Sequence, residues 1–139
     1  MNSSLPLVGR VREGGNMSKI LIVDDDQDIV YMIKSVLEKK GYEVETAADG
    51  VQALKAVKAN VPDLMIIDLS MPVMDGWRLS MKVRQDERCK KLPIIVLSGL
   101  LAQEANQLGT DEPHIIYVAK PFDILNLSEM VTALLGEGL

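Results

Sequence analysis

Leu64-Met65-Ile66-Ile67 is an uninterrupted apolar run with a carboxylate, Asp68, directly behind it and a loop containing Pro72 and Gly76 beyond. A run this short, half of it β-branched, reads as a strand buried on both faces. Burial of that kind belongs to a parallel sheet covered by helices on either side. The pattern returns three times along the chain. Ile20-Leu21-Ile22-Val23 leads into Asp24-Asp25-Asp26, Ile94-Ile95-Val96-Leu97 into Ser98, and Ile115-Ile116-Tyr117-Val118-Ala119 into Lys120-Pro121-Phe122. A further strand, Tyr42-Val44-Thr46 alternating with Glu43 and Glu45, has one more polar face and suits a sheet edge.

Helical spacing fills the gaps between these strands. Ile29, Ile33, Val36 and Leu37 precede Gly41, and Ala53, Leu54 and Val57 precede Pro62. Trp77, Met81 and Arg84 carry a repeat through a helix from Gly76 to Arg84. A shorter helix is predicted from Leu100 to Leu108, stopped by Gly109. The last helix, capped by Asp123, presents Leu127, Met130, Val131, Leu134 and Leu135. Strands alternating with helices in this way imply right-handed crossovers and an α/β, doubly wound sandwich.

The chain has 139 residues, enough for one domain with a full core, and its formal net charge of −5 argues against direct nucleic-acid binding. The densest basic stretch, Arg78 to Lys91, is interrupted by Asp86 and Glu87 and reads as a solvated helix face. Cys89 is the only cysteine, so no internal disulfide can form and a reducing cytoplasm is the expected setting. His114, the only histidine, reads as a polar loop residue. No apolar run is long enough for a membrane span. Residues 1–16 read as a disordered leader or a cloning remnant, and 17–139 as the folded domain.

In open α/β sheets the chemistry sits beyond the carboxyl ends of the strands. Here those ends gather Asp24, Asp25, Asp68, Ser98 and Lys120. Any one of them alone would serve as a turn or cap residue. Together they form a constellation. Two unit charges about 4 Å apart repel by about 4 kcal/mol at an effective dielectric near 20. Three carboxylates on one edge therefore shift their own pKa values or recruit a cation. Oxygen ligands without Cys or His favour a hard ion, and few carboxylates plus water suit Mg²⁺. Asp68 could then act as a nucleophile toward phosphorus, with Lys120 and Ser98 facing the phosphoryl oxygens.

These motifs closely resemble the receiver domain of bacterial two-component response regulators, from Lys19 to Leu135. The residues that carry the resemblance are Ile-Leu-Ile-Val-Asp24-Asp25, Leu-Met-Ile-Ile-Asp68-Leu-Ser-Met-Pro72-Val-Met-Asp75-Gly76, Ile-Ile-Val-Leu-Ser98-Gly and Tyr117-Val-Ala-Lys120-Pro121-Phe122. The resemblance implies a five-stranded parallel sheet of order 2-1-3-4-5. It implies a phosphoacceptor at Asp68 served by a histidine kinase or histidine phosphotransfer protein, and an unknown downstream protein target. Mg²⁺ would be held by Asp25, Asp68 and the backbone carbonyl of Ser70, with Asp24 acting largely through water. Lys120 would pair with the phosphate, Ser98 and Tyr117 would form the switch, and Lys120-Pro121 would be a cis peptide. The protein would be a signalling switch that catalyses only its own phosphorylation and dephosphorylation. It would act alone by docking or as one piece of a longer protein.

One segment, Gly109 to Ile116, departs from the family pattern while the spacing from Ser98 to Lys120 stays normal, which predicts a shortened helix and a longer loop there. Tyr117 also suits a plain core position, and Met71, Met74 and Met81 suit packing. Asp26 and Asp28 suit a helix start. Two other functions fit less of the chain. A haloacid-dehalogenase-like phosphatase would use Asp24-Asp25-Asp26, but Asp28 stands where that family wants Thr or Val. An interaction module of the same fold would work without phosphorylation.

Overall fold

The computed structural model describes residues 18–69, 76–99 and 114–136. Five strands form one parallel sheet: β1 (Lys19–Val23), β2 (Glu43–Ala47), β3 (Leu64–Asp68), β4 (Ile94–Ser98) and β5 (Ile115–Ala119). Their order is β2-β1-β3-β4-β5, as the resemblance implied, with the polar strand β2 at one edge. The described helices are α1 (Gln27–Lys39), α2 (Gly50–Ala59), α3 (Gly76–Arg84) and α4 (Ile124–Leu134), with a 3₁₀ turn at Glu87–Cys89. The leader at 1–16, the helix expected at Leu100–Leu108 and most of the atypical segment fall outside the described residues.

Alternation along each strand splits the core in two. Leu21, Val23, Met65, Ile67, Ile94 and Val96 face one side, where α2 and α3 contribute Ala53, Val57, Leu79 and Val83. Ile20, Ile22, Leu64, Ile66, Ile95 and Leu97 face the other, against Val30, Ile33 and Leu37 of α1 and Leu127 and Val131 of α4. The central strands β1, β3 and β4 are buried at every position, as their unbroken apolar runs require. Each fully buried Leu or Ile contributes about 1.5–3 kcal/mol of transfer free energy.

Three helices begin on an aspartate whose side chain accepts backbone N–H groups that the first turn leaves unpaired: Asp26 for α1, Asp49 for α2 and Asp123 for α4. Each cap is worth about 1 kcal/mol. Gly41 follows α1 at φ 97°, a left-handed conformation that glycine adopts without a Cβ penalty.

Two helix stripes differ from the sequence expectation. On α1 the buried positions are Val30, Ile33 and Leu37, while Ile29 and Val36 are only half-buried. On α3 the inward residues are Gly76, Leu79, Ser80, Val83 and Arg84. Met81, expected to pack, is 44% exposed, and Trp77 is half-buried at the margin of the α2–α3 core. The phase of α3 is set by Gly76, which seats the helix against β3, so the stripe runs at i, i+3, i+4 and i+7 from there. Arg84 also corrects the reading of Arg78–Lys91 as wholly solvated. It is only 7% exposed, and its Nη1 donates to the carbonyls of Cys89 and Leu92, both at 2.7 Å. The guanidinium ties the chain leaving α3 into a turn that delivers β4. Cys89 lies buried in the same turn, its thiol pushed up by burial and unsuited to reactivity.

Candidate functional site

Because every strand runs in the same direction, the residues after β1, β3, β4 and β5 come out along one edge. The backbone at that edge is tied strand to strand. Asp24 N–H donates to Ala47 O at 3.1 Å, Leu69 N–H to Leu97 O at 2.9 Å, and Lys120 N–H to Ser98 O at 2.7 Å. These bonds hold the ends in register beyond the last paired residues and fix where the side chains start.

Asp24, Asp25 and Asp68 each offer a carboxylate oxygen, and the three oxygens lie within 4.8 Å of one another. Asp68 is buried, and its Oδ1 accepts from Lys120 Nζ at 3.0 Å. Residues 52 positions apart in sequence thus form an ion pair across the sheet edge. Asp25 is exposed, whereas its neighbour Asp24 is 1% exposed. Asp24 Oδ1 accepts from Asp26 N–H at 2.9 Å, and Oδ2 is buried without a hydrogen-bond partner. Burial pushes the Asp24 carboxyl up to about 6. The charges of Asp68 and Asp25 add to that rise, while the Asp26 N–H and the Lys120 ammonium pull against it.

A buried carboxylate oxygen with no donor costs free energy unless something positive completes it. The chemistry of the donor set suits a hard divalent cation: three carboxylates, no nitrogen or sulfur, and on Asp24 a buried oxygen without a hydrogen-bond partner. Ser70, whose carbonyl the resemblance adds to this set, lies outside the described residues.

Ser98 is buried at the end of β4 and registers with Ala119. Tyr117 sits one inward-facing position earlier on β5, opposite Val96. In a parallel pair these residues share one face of the sheet, and Tyr117 packs half-buried against the α2–α3 core, where burial raises its phenol pKa. The Lys120-Pro121 peptide is cis.

One contributor to the site was not legible in the sequence as such. Gly76 reads as turn geometry, yet its backbone lies against the carbonyl of Asp68, and its N–H donates to Leu69 O at 2.8 Å. The start of α3 is thereby pinned to the strand end that carries the carboxylate. The only local signal was a glycine at a helix start shortly after an acid-ended strand.

A family model described as the response regulator receiver domain matches residues 20–132. Among curated proteins, the DNA-binding dual master transcriptional regulator RpaA of Synechocystis is 35% identical over 119 residues, which is 86% of this chain and 49% of RpaA. The chain spans about half the length of the curated relatives it matches. Among solved structures, the chemotaxis response regulator CheY4 of Vibrio cholerae superposes with a TM-score of 0.79 at 36% identity, covering 86% of this chain and 100% of that one. The receiver domain of the sensor histidine kinase PA1611 of Pseudomonas aeruginosa, solved with a magnesium ion coordinated in its active-site cleft, gives 0.74 at 29% identity over 86% of this chain and 98% of that one. Sheet order, the cluster at the carboxyl edge and the family match all agree: this chain belongs to the response regulator receiver domain family.

Proposed function

We propose that the domain is a phosphorylation-dependent switch in which Asp68 accepts a phosphoryl group from the phosphohistidine of a histidine kinase or histidine phosphotransfer protein. The observation that carries this reading is the Asp68–Lys120 pair at 3.0 Å, set beside a buried Asp24 oxygen that lacks a donor. In the transfer, a carboxylate oxygen of Asp68 forms a bond to phosphorus as the phosphorus–nitrogen bond of the donor breaks. The electron pair of that bond returns to the imidazole nitrogen. Asp24, Asp25 and Asp68, joined by the Ser70 carbonyl, would hold Mg²⁺, which supplies positive charge for an anionic group approaching three carboxylates.

The chain's own residues do the rest. Lys120 orients Asp68 and offers a cation to the phosphoryl oxygens, and Ser98 offers a hydroxyl from the neighbouring strand. A phosphoryl group adds nearly two negative charges, enough to draw the Ser98 hydroxyl and alter the packing around Tyr117 on the same face. The outcome is a change in affinity for a protein target, with no turnover of an external substrate beyond the protein's own phosphorylation and dephosphorylation. RpaA is described as DNA-binding, and we assign no nucleic-acid contact to this domain. A cytoplasmic setting suits a kinase-fed switch, and among the described residues no helix is long and apolar enough to cross a membrane.

Incubation with an acyl-phosphate donor and Mg²⁺, followed by intact-mass analysis, tests the reading. One added phosphate is expected in wild type and none in Asp68→Asn or with chelator present. Equal labelling of Asp68→Asn would overturn it, and absence of labelling in wild type would favour a module that works unphosphorylated. Nothing favours a haloacid-dehalogenase-like site on the Asp24–Asp26 triplet, because the lysine ammonium bonds Asp68 instead.

A further inference from the structure

The two helical layers differ sharply in charge. On the α1–α4 side acids outnumber bases among the described residues, Asp26, Asp28, Glu38, Asp123 and Glu129 against Lys34, Lys39 and Lys40. On the other side neither α2 nor α3 contains an acid. Lys55, Lys58, Arg78, Lys82, Arg88 and Lys91 are all exposed there. Among the described acids near them, Asp49 caps α2, Asp86 is held by Arg88 at 2.7 Å, and Glu87 lies 3.9 Å from Lys90. Lys55, Lys58, Lys82 and Lys91 have no ion pair among the described residues. Among the described residues of a chain with net charge −5, the local excess of positive charge thus falls on one face. Val51 and Met81, each 44% exposed, add apolar surface to the same two helices.

At the lower end of this face, remote from Asp68, a cleft of about 340 Å³ opens beneath β3 and β4. Val61, Pro62 and Leu92 supply apolar wall, and Leu134 at the end of α4 closes it from the other layer. Asp63, whose Oδ2 accepts from Lys19 N–H at 2.8 Å, also lines the cleft, and Arg88 and Lys91 stand at its margin. Val61 of the lining follows directly on the end of α2, two residues after Ala59. An apolar recess with Arg88 and Lys91 at its margin, below a face of exposed lysines, has a definite complement. We propose that the α2–α3 face and this cleft dock an acidic segment of a partner protein, with an apolar side chain seated in the cleft and carboxylates spread over Lys58, Lys91 and Lys82. Charge complementarity selects an acidic chain, and the apolar recess selects a peptide over a bare polyanion. Such a partner would remain attached while the opposite edge of the sheet exchanges phosphate.

Selection of random displayed peptides on the full chain tests this. Enriched sequences should carry an excess of Asp and Glu around a Leu, Ile or Phe. A labelled enriched peptide followed by fluorescence anisotropy should lose roughly tenfold in affinity toward Lys58→Glu/Lys91→Glu, the sum expected for reversing two exposed charges. Affinity should fall as salt rises and on replacing the peptide's apolar anchor by Ala. Asp68 labelling of the double variant at the wild-type rate shows that the fold and the phosphorylation site are intact. Enrichment of peptides without acidic excess, or equal binding to the double variant, overturns the proposal. Charge-reversal-sensitive binding of duplex DNA or phosphatidylserine vesicles, without peptide binding, also overturns it and reassigns the face.

Discussion

Gly76→Ala sets two effects of opposite sign against each other. Alanine is favoured over glycine in a helix by about 1 kcal/mol, so propensity alone predicts stabilisation. The structure predicts the reverse. A Cβ at position 76 would lie 2.5 Å from Asp68 O, 2.8 Å from Ile67 Cγ2 and 2.8 Å from Leu69 Cα. Two of these are backbone atoms of β3 and its exit, which cannot rotate away. Sliding α3 outward would strain the 2.8 Å bond from Gly76 N–H to Leu69 O. Overpacking costs about 1–3 kcal/mol and a lost hydrogen bond about 1 kcal/mol, so the net is a loss of about 1–3 kcal/mol. With a urea m-value of about 2 kcal/mol/M, the unfolding midpoint should fall by about 0.5–1.5 M. Labelling of Asp68 should also slow, because the carbonyl being displaced is its own. Gly99→Ala is the control. Among the described residues nothing lies within 4 Å of a Cβ there, and its midpoint should stay close to wild type. A Gly76→Ala protein as stable as wild type, or more so, would refute the close-approach argument and leave propensity as the governing effect.

Arg84→Met should cost about 2–5 kcal/mol in urea unfolding, since it strips the donor from two carbonyls while keeping the apolar bulk; an unchanged midpoint would show those bonds to be dispensable. Lys120→Ala should slow acyl-phosphate labelling roughly 10²–10³-fold, the usual effect of removing one preorganised donor, and single-turnover rates would check it. Asp24 yields a pH signature in metal-free protein. Its folded pKa is raised from 3.8 to about 6, so the folded state holds the proton more tightly than the unfolded one. Its contribution to stability is therefore greatest at acid pH, declines as pH rises from about 4 to 6, and is lost above, a change on the order of 3 kcal/mol. Asp24→Asn should lack that slope, so the difference between the wild-type and variant stability–pH curves should itself fall between about pH 4 and 6. Parallel curves would show that Asp24 is not held protonated.

Strand identity was legible because burial on both faces forces unbroken apolar runs, and Leu64–Ile67 or Ile94–Leu97 admit little else. The helix starts at Asp26 and Asp123 were equally legible, since the need for a side-chain acceptor at the first turn is local. Helix phase was not. Met81 and Arg84 both fit a helical repeat, and ordinary hydrophobicity favours the methionine. The carbonyls of Cys89 and Leu92 reverse the choice, and their positions follow from how the chain leaves α3 toward β4.

The sequence by itself determined that acid, hydroxyl and lysine residues stand at the ends of separate strands, and the resemblance they carry named the family. It left open which of Asp24 and Asp25 is buried, because adjacency along the chain says nothing about which of two carboxylates turns inward. The tertiary structure decided that. It buried Asp24 behind the bond to Ala47, brought Lys120 to Asp68, and laid α2 and α3 side by side so that scattered lysines became one positive face. Strand and cap signals repeat over a few residues and can be read locally, whereas burial of a charge, close approach of a glycine and summation of a field depend on partners that only the folded sheet supplies.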